Sequence, residues 1–478
     1  MLFNSIEFAV FLPVVFLGYW LLTARRTGLQ NLLLLAASYV FYGWWDWRFL
    51  SLILLSSMVD FLVGLGMEST GRQWKRRLLL GISLGVNLGL LGFFKYFNFF
   101  AENFAAAFTL FGQHIDPARL YIILPVGISF YTFQTLSYSI DLYRGRMQAS
   151  KDIVSFFAFV AFFPQLVAGP IERASNLLPQ FHRRRVFDYH RAVDGSRQIL
   201  WGLFKKIVIA DNAAVFADSI FNGYADLPGS TLLLGAVFFA LQIYGDFSGY
   251  SDIAIGTARL FGFDLMRNFA FPYFSRDIAE FWRRWHISLS TWFRDYLYIP
   301  LGGSRGGRWM QTRNVMIIFL VSGFWHGANW TFLVWGALNA LYFLPLLLRH
   351  RNRTHTDTVA EGRLLPAPLE AAQMAGTFLL TCLAWIFFRA PSVSDALSYL
   401  GGILSPTLFS LPAIPMGYFP LVSAFFLAAE WMQREQQHAL QLDRFRMHPA
   451  LRWSMYYGIV LMIMYYGGEQ QSFIYFQF

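Results

Sequence analysis

The chain has 478 residues, of which 56% are hydrophobic, 19% aromatic and only 14% charged. A soluble domain carries about 25% charged residues, so this composition excludes a soluble protein and indicates an integral membrane protein with many spans. The excess of 38 Lys and Arg over 28 Asp and Glu is then expected to reflect basic cytoplasmic loops, and nucleic acid is not an expected partner.

The apolar segments predict roughly eleven or twelve membrane crossings, because a crossing needs about 17 to 25 apolar residues. The first segment has no basic region before it and no small-residue cleavage site after it, so we expect it to stay as an anchor. The stretch 315–348 is long enough to cross and return. The predicted spans are 5–23, 30–45, 50–67, 78–101, 120–142, 198–221, 230–260, 315–348, 372–389, 415–432 and 453–467.

Lys and Arg are distributed unequally between the loops that join these spans. The basic loops contain Arg25 and Arg26, 72–77, 144–151 and 173–185, whereas the loops 102–118, 222–229, 391–413 and 468–478 contain neither Lys nor Arg. Basic loops are retained in the cytoplasm, which places both termini in the periplasm. The apolar segment 152–169 lies between two basic loops and is therefore predicted to enter the membrane and return as a hairpin.

We expect one integral membrane domain over residues 1–478. The one polar insert, Arg349–Leu365, is predicted to be a cytoplasmic linker. The single cysteine, Cys382, lies in an apolar run, which excludes disulfides, cysteine metal sites and thiol relays, and no metal site is predicted.

Seven of the nine histidines lie in polar or loop-like contexts: His114, His182, His190, His350, His355, His438 and His448. The eighth, His326, follows an apolar run that begins near Asn314, which at about 1.5 Å per residue places it some 18 Å into a bilayer core of about 30 Å. Gly323 and Gly327 flank it and allow a break in the helix. His326 is either a neutral packing residue or a general base, because desolvation favours the unprotonated ring.

The ninth histidine, His286, lies in the segment 276–299. Apolar residues recur there with helical spacing among arginines, which predicts an amphipathic helix at the cytoplasmic interface. In such a helix His286 shares an inward face with Trp282, Leu289 and Phe293. Membrane anchoring accounts for the arginines and tryptophans, but it does not account for a histidine on the inward face.

Two pairs of charged residues within predicted spans are further candidates for function. Asp246 and Asp252 are six residues apart, which turns them by about 240° on a helix, so they are not expected to face each other. They form either a structural polar network or part of a catalytic site. Lys205 and Lys206 are expected to be cytoplasmic and to contact phosphates or lipid headgroups.

Six sequence blocks, taken together, resemble the membrane-bound O-acyltransferase (MBOAT) family. The resemblance runs from the N-terminus to the terminal FIYFQF and is densest between residues 124 and 335. Within the family, the blocks are most similar to the branch that O-acetylates bacterial exopolysaccharides such as alginate and cellulose. The blocks are LPVGISFYTFQ, FFPQLVAGPIER, GLFKKIVIADN, YGDFSGYSDIAIG, FWRRWHISLSTWFRDYLYIPLGG and FWHGANWTFLVWG.

The resemblance implies an all-α polytopic fold, a ring of about eleven or twelve transmembrane helices with re-entrant and interfacial helices. It implies catalytic roles for His326 and His286 in a protein of the bacterial inner membrane. The donor would be a cytoplasmic thioester, most plausibly acetyl-CoA, with no bound cofactor. Four residues are candidates for contacts to the donor phosphates: Lys205, Lys206, Arg283 and Arg284.

The acceptor would be a polysaccharide hydroxyl, reached through a periplasmic SGNH-type acetyltransferase partner. The chain itself has neither a GxSxG elbow nor a GDS-type nucleophile, which agrees with such a division of labour. Two alternatives stay open at this point. One is D-alanyl transfer to teichoic acid, and the other is a proton-coupled exporter of polysaccharide or lipid that uses Asp246 and His326 as a relay.

Overall fold

A computed structural model of the protein describes residues 1–23, 26–109, 116, 120–442, 447–467, 471, 473 and 474. Every regular element in these residues is helical, which confirms the all-α prediction. Arg25, His114 and most of the terminal FIYFQF motif lie outside the described residues. The α-helices are α1 Ile6–Leu17, α2 Thr27–Asp46, α3 Leu50–Ser69, α4 Gln73–Leu91, α5 Phe97–Thr109, α6 Ile128–Tyr143, α7 Ile153–Ala161, α8 Ala174–His182, α9 Tyr189–Leu203, α10 Asp211–Asn222, α11 Gly229–Leu260, α12 Ile278–Arg284, α13 Ile287–Phe293, α14 Arg308–His326, α15 Trp330–Leu348, α16 Pro368–Arg389, α17 Val393–Ile403, α18 Phe419–Met432 and α19 Pro449–Tyr466.

Short irregular helices extend several of these elements. Four are π-helical turns, at Gly18–Leu22, Gly92–Tyr96, Phe204–Ala210 and Arg294–Tyr298. Four are 3₁₀ turns, at Trp47–Phe49, Tyr224–Asp226, Pro272–Phe274 and Pro406–Phe409.

Several of the helical segments in the described residues have the length and apolar character of membrane spans. Five qualify outright, at Thr27–Ser69, Gln73–Thr109, Gly229–Leu260, Trp330–Leu348 and Pro368–Arg389. The apolar segments Ile6–Leu22 and Phe419–Met432 are shorter. These segments confirm a multi-pass membrane protein, while the number of crossings stays a prediction.

The described residues form two compact units. The first comprises residues 1–192 and 257–266, and the second comprises residues 193–256 and 267–478. In the first unit, the side chain of Asp152 accepts a hydrogen bond from Val154 N and caps α7, which is buried together with the turns that follow it. A nine-residue helix is about 13.5 Å long, too short to cross the bilayer, and this length fits a segment that enters and returns.

In the second unit, the segment predicted as one helix over 276–299 is broken. Helix α12 ends at Arg284, His286 adopts a left-handed conformation with φ of 43°, and α13 begins at Ile287. The reason is a tertiary one, because an extended segment supplies the hydrogen bonds at the break. Ala270 N donates to the carbonyl of Arg284 (2.9 Å), and Ile287 N donates to the carbonyl of Asn268 (2.9 Å).

Helices α14 and α15 form the predicted hairpin, with the turn directly after His326. The side chain of Asn329 accepts a hydrogen bond from Thr331 N (3.0 Å) and starts the returning helix. Two glycines let the helices approach closely: a Cβ on Gly323 would lie 2.2 Å from the carbonyl oxygen of Phe332, and one on Gly336 would lie 2.3 Å from that of Phe319. Only glycine fits such contacts, so the hairpin geometry depends on both.

We expect Gly336→Ala to separate α14 from α15 and to destabilise the protein by about 1 to 3 kcal/mol, because the new methyl group would overlap a carbonyl that belongs to the backbone. Thermal unfolding of the purified protein in detergent, followed by size-exclusion chromatography, measures the loss. Gly376→Ala on α16 is the matched control, since a Cβ there meets open space. Equal melting temperatures for the two variants would contradict the close approach.

Candidate active site

His326 is the last residue of α14, and its ring is enclosed by aromatic side chains. The ring centroid of His326 lies 4.8 Å from that of Trp325, 5.1 Å from that of Trp335 and 5.3 Å from that of Phe388. These partners come from α14, α15 and α16, and His326 itself is only 4% exposed. The hairpin turn therefore places the imidazole of His326 among aromatic side chains. The sequence predicted that this histidine is buried.

His286 is buried at the break between α12 and α13, and a single asparagine orients it. His286 Nδ1 lies 3.0 Å from Asn268 Oδ1, which also accepts from the hydroxyl of Ser288 (3.0 Å) and faces the Ser288 backbone N–H (3.4 Å). The amide nitrogen of Asn268 donates to Ser251 Oγ (3.1 Å). A backbone N–H can only donate, so the atom that it faces is the amide oxygen.

This arrangement fixes the tautomer of His286. An amide oxygen only accepts, so His286 Nδ1 carries the proton, and Nε2 of the neutral ring keeps its lone pair. Burial lowers the pKa of His286 to about 3, which keeps the ring neutral at physiological pH. His286 Nε2 is a buried acceptor with no hydrogen-bond partner among the described residues.

The two histidines line the same cavity, of about 230 Å³, which we call the histidine cavity. Trp325 contacts both rings, with centroids 6.1 Å from His286 and 4.8 Å from His326. The lining runs from these buried rings to two exposed side chains, Arg294 and Arg353. The other lining residues are Trp282, Trp285, Leu289, Ser290, Phe293, Tyr298, Ser304, Val315, Ile318, Phe319, Ser322, Phe343, Leu347 and Asn352.

Phe473 and Ile474 contact α11 close to His286, which the sequence did not reveal. The ring of Phe247 contacts His286 edge-on (4.6 Å between centroids), and Phe473 packs against Phe247 (6.2 Å). Ile474 N donates to Asp246 Oδ2 (2.7 Å). Neither these contacts nor the role of Asn268 has a local sequence signal, because each joins residues that are far apart in the chain.

Lys205 and Lys206, which were predicted to contact the acyl donor, are buried and form ion pairs. Lys205 Nζ lies 2.6 Å from Asp252 Oδ2 and 3.9 Å from Glu430 Oε1. Lys206 Nζ lies 2.8 Å from both Asp211 Oδ1 and Asp246 Oδ1, and it donates to the carbonyl of Gln471 (3.1 Å). Asp246 and Asp252 thus pair with different lysines and do not face each other. The structure does not bring the lysines to the histidine cavity, and their contact with a donor stays a prediction.

Arg283 and Arg284 connect α12 to the linker Arg349–Leu365 through hydrogen bonds. Arg283 donates to the carbonyls of Asn352 (2.7 Å) and His355 (2.5 Å). Arg284 donates to the carbonyl of Asp357 (2.8 Å) and pairs with Glu280 (2.8 Å). Two residues of the fastened linker, Asn352 and Arg353, line the histidine cavity. A direct donor contact of Arg283 and Arg284 stays a prediction.

His438 and Cys382 are two further titratable residues of the second unit, and neither lines the histidine cavity. His438, expected in a polar loop, is instead buried, and its Nε2 lies 3.0 Å from Asp194 Oδ1. A local polar context did not reveal this contact between residues 244 positions apart. Cys382 is a buried free thiol. No group of His, Cys, Asp or Glu suited to a metal ion occurs within the described ranges.

Known proteins share these sequence features. Residues 41–388 match the model of MBOAT, the membrane-bound O-acyltransferase family. The chain is 42% identical over 410 residues to "Probable alginate O-acetylase AlgI" of Pseudomonas putida, covering 85% of this chain and 80% of that protein. It is 38% identical over 433 residues to "Peptidoglycan O-acetyltransferase" of Helicobacter pylori, covering 84% and 80%. It is 28% identical over 247 residues to "Teichoic acid D-alanyltransferase" of Bacillus subtilis, covering 48% and 60%.

We expect Lys205→Met to lower the melting temperature and the folded yield strongly, because it leaves Asp252 buried without its counter-charge, which costs about 3 to 5 kcal/mol. The double variant Lys205→Met with Asp252→Asn should recover part of the loss, since it removes both charges. A double-mutant cycle on thermal stability in detergent tests the pair. A fully stable Lys205→Met variant would contradict a structural ion pair and would favour the predicted donor contact.

Proposed function

This chain belongs to the membrane-bound O-acyltransferase family and is an acyltransferase, and we propose that it passes an acetyl group from a cytoplasmic thioester across the inner membrane for O-acetylation of a polysaccharide. The observation that carries this proposal is the histidine cavity. Its lining includes two buried imidazoles and two exposed arginines. An acyl group and a base can meet there, away from water.

The reaction transfers one proton and replaces the carbon–sulfur bond of the thioester with a carbon–oxygen bond. His326 removes the proton from the acceptor hydroxyl, and the oxygen attacks the thioester carbonyl. The carbon–oxygen bond forms, the carbon–sulfur bond breaks, and His326 returns its proton to the leaving thiolate. Aromatic side chains of three helices enclose the ring that carries out this proton transfer. A transient acyl group on His326 is the alternative form of the same step.

His286 serves the donor in this mechanism. Asn268 holds the proton on His286 Nδ1, so Nε2 offers a lone pair at the histidine cavity. His286 Nε2 accepts a hydrogen bond from an N–H of the thioester substrate and thereby positions the thioester. Arg353 and Arg294 stand at the exposed end of the cavity, where guanidinium groups suit the phosphates of acetyl-CoA.

The proposal for the acceptor side is supported by the names of the relatives and by the motifs of the sequence. The chain has no serine-hydrolase motif, so we propose that a periplasmic SGNH-type partner completes the transfer to the sugar hydroxyl. Two relatives are named as an alginate O-acetylase and a peptidoglycan O-acetyltransferase. An exopolysaccharide of the alginate or cellulose type is the proposed acceptor, and we propose that both termini lie in the periplasm.

The alternative functions are supported less well. The teichoic acid D-alanyltransferases match about half of this chain, at lower identity than the O-acetyltransferases. A proton-coupled exporter would need a relay of acids, but no carboxylate lines the histidine cavity in the described part of the chain. Asp246 is instead neutralised by Lys206. A thioester-dependent transfer assay in proteoliposomes separates acyl transfer from export, because an exporter consumes no thioester. Comparing an acetyl thioester with a D-alanyl thioester as the donor separates acetyl transfer from D-alanyl transfer.

We expect His326→Ala to leave the protein inserted and abundant and to lower acetyl transfer by about 10² to 10⁴, the usual contribution of a general base. His326→Gln is the matched control, because glutamine can keep a hydrogen bond between helices but cannot take up a proton at neutral pH. Both variants are assayed for thioester-dependent acetyl transfer at equal protein levels. Near-normal transfer by His326→Gln would rule out both the acid–base and the covalent role.

We expect Asn268→Leu to lower kcat/KM for the thioester donor by about ten- to hundredfold, because the ring of His286 loses its fixed orientation. Asn268→Asp should retain much more activity, since a carboxylate accepts the same hydrogen bonds from His286 and Ser288. The two variants are compared in the proteoliposome assay, with KM and kcat measured separately. If Asn268→Leu and Asn268→Asp have equal thermal stability and lose kcat/KM to the same extent, the positioning role of Asn268 is contradicted.

A further inference from the structure

The first unit contains a second, larger cavity that the acyl-transfer mechanism does not use. It has a volume of about 450 Å³, and we call it the arginine pocket. Five arginines and two aspartates line it, so positive charge exceeds negative charge by three. The arginines are Arg183, Arg184, Arg185, Arg191 and Arg259.

Both aspartates are already engaged in the structure. Asp188 Oδ1 accepts hydrogen bonds from the backbone N–H groups of His190 (2.9 Å) and Arg191 (3.1 Å), which caps the start of α9. Asp264 Oδ1 forms an ion pair with Arg191 (2.6 Å). Arg183 and Arg184 are exposed and form no side-chain hydrogen bond or ion pair with any described residue. Arg183 and Arg184 therefore have no counter-charge among the described residues.

Arg185 adds a buried cation to this pocket. It is only 7% exposed, and its guanidinium lies over the ring of Phe263 (4.8 Å to the centroid). It donates to Asn31 Oδ1 (2.6 Å) and to backbone carbonyls that include that of Gln180 (3.1 Å). All of these acceptors are neutral, while an arginine stays charged in proteins. A buried positive charge held only by neutral oxygens strengthens the attraction for an anion.

Apolar and aromatic side chains border the arginine pocket. Trp20 lines it and lies at the end of the apolar helical segment Ile6–Leu22. Its indole N–H donates to the carbonyl of Leu260 (3.0 Å), and Phe187 packs against its ring (5.5 Å between centroids). Val186 is 72% exposed. Tryptophan at the end of a span, next to arginines and exposed apolar side chains, is typical of the membrane–water interface.

We propose that the arginine pocket binds a phosphate-bearing anion, presented by the headgroup of an anionic phospholipid. Guanidinium groups bind phosphate oxygens through paired hydrogen bonds, and Ser175 and Asn176 add neutral polar groups to the same lining. Basic pockets at the membrane surface bind such headgroups. The position beside Trp20 favours a lipid over a free phosphate, although both have the same phosphate chemistry.

The full chain is reconstituted in nanodiscs of phosphatidylcholine and phosphatidylglycerol in equal parts, and the lipids that stay bound on release are counted by native mass spectrometry. Arg183→Gln with Arg184→Gln is the test variant. Arg72→Gln with Arg77→Gln is the matched control, because it removes the same charge from exposed positions of the same unit outside the pocket. His326→Ala is measured in parallel, because lipid retention is expected whether or not acyl transfer depends on His326.

The wild type, the Arg72/Arg77 control and His326→Ala should retain phosphatidylglycerol in preference to phosphatidylcholine. The Arg183/Arg184 variant should lose that preference about 25-fold, about fivefold for each arginine. Retention equal to the wild type would overturn the proposal, and so would an equal loss in the control. A second arm adds inorganic phosphate to lipid-free protein in detergent. Stabilisation of the wild type but not of the Arg183/Arg184 variant, without selective lipid retention, would overturn the lipid source and assign a soluble phosphate.

Discussion

Asn268 holds together the part of the molecule on which the proposed chemistry depends. Its backbone carbonyl accepts from Ile287 N, and its side-chain oxygen accepts from His286 and Ser288. The backbone bond replaces one that a continuous helix would have made, so the chain can turn at His286 without leaving the N–H of Ile287 unpaired. The side-chain bond to His286 selects the tautomer of its ring. One residue thereby supports both the backbone break, through its carbonyl, and the tautomer of the ring placed there, through its side chain.

Helix α11 supports this arrangement from the other side. Over two turns it presents Asp246 to Lys206, Phe247 to His286, Ser251 to Asn268 and Asp252 to Lys205. Each carboxylate has a buried ammonium group within 3 Å, and such a pair is costly to break but contributes little net stability. The acidic residues of the YGDFSGYSD motif therefore act as a framework around the site, and they fix which face of α11 meets His286.

The two cavities differ in chemistry because their linings do. Aromatic rings enclose the histidine cavity at His326. The arginine pocket is polar and positively charged, and it adjoins Trp20 at the end of an apolar segment. A neutral, enclosed site suits the transfer of a small acyl group, whereas a charged site at the membrane surface suits a phosphate.

The sequence by itself determined the features that depend on overall composition or on residues that are close together in the chain. Composition identified a membrane protein because it counts the whole chain, and Gly323 and Gly327 predicted that the helix can break near His326 because the conformational freedom of glycine is a local property. Only the tertiary structure decided the break at His286, since its partner Asn268 lies 18 residues away. It also decided that Lys206 pairs within the fold and reaches the carbonyl of Gln471, 265 residues away, and that His438 is buried against Asp194. Helical periodicity describes one helix at a time, whereas the partner of a buried polar group is set by the packing of helices that are distant in the chain.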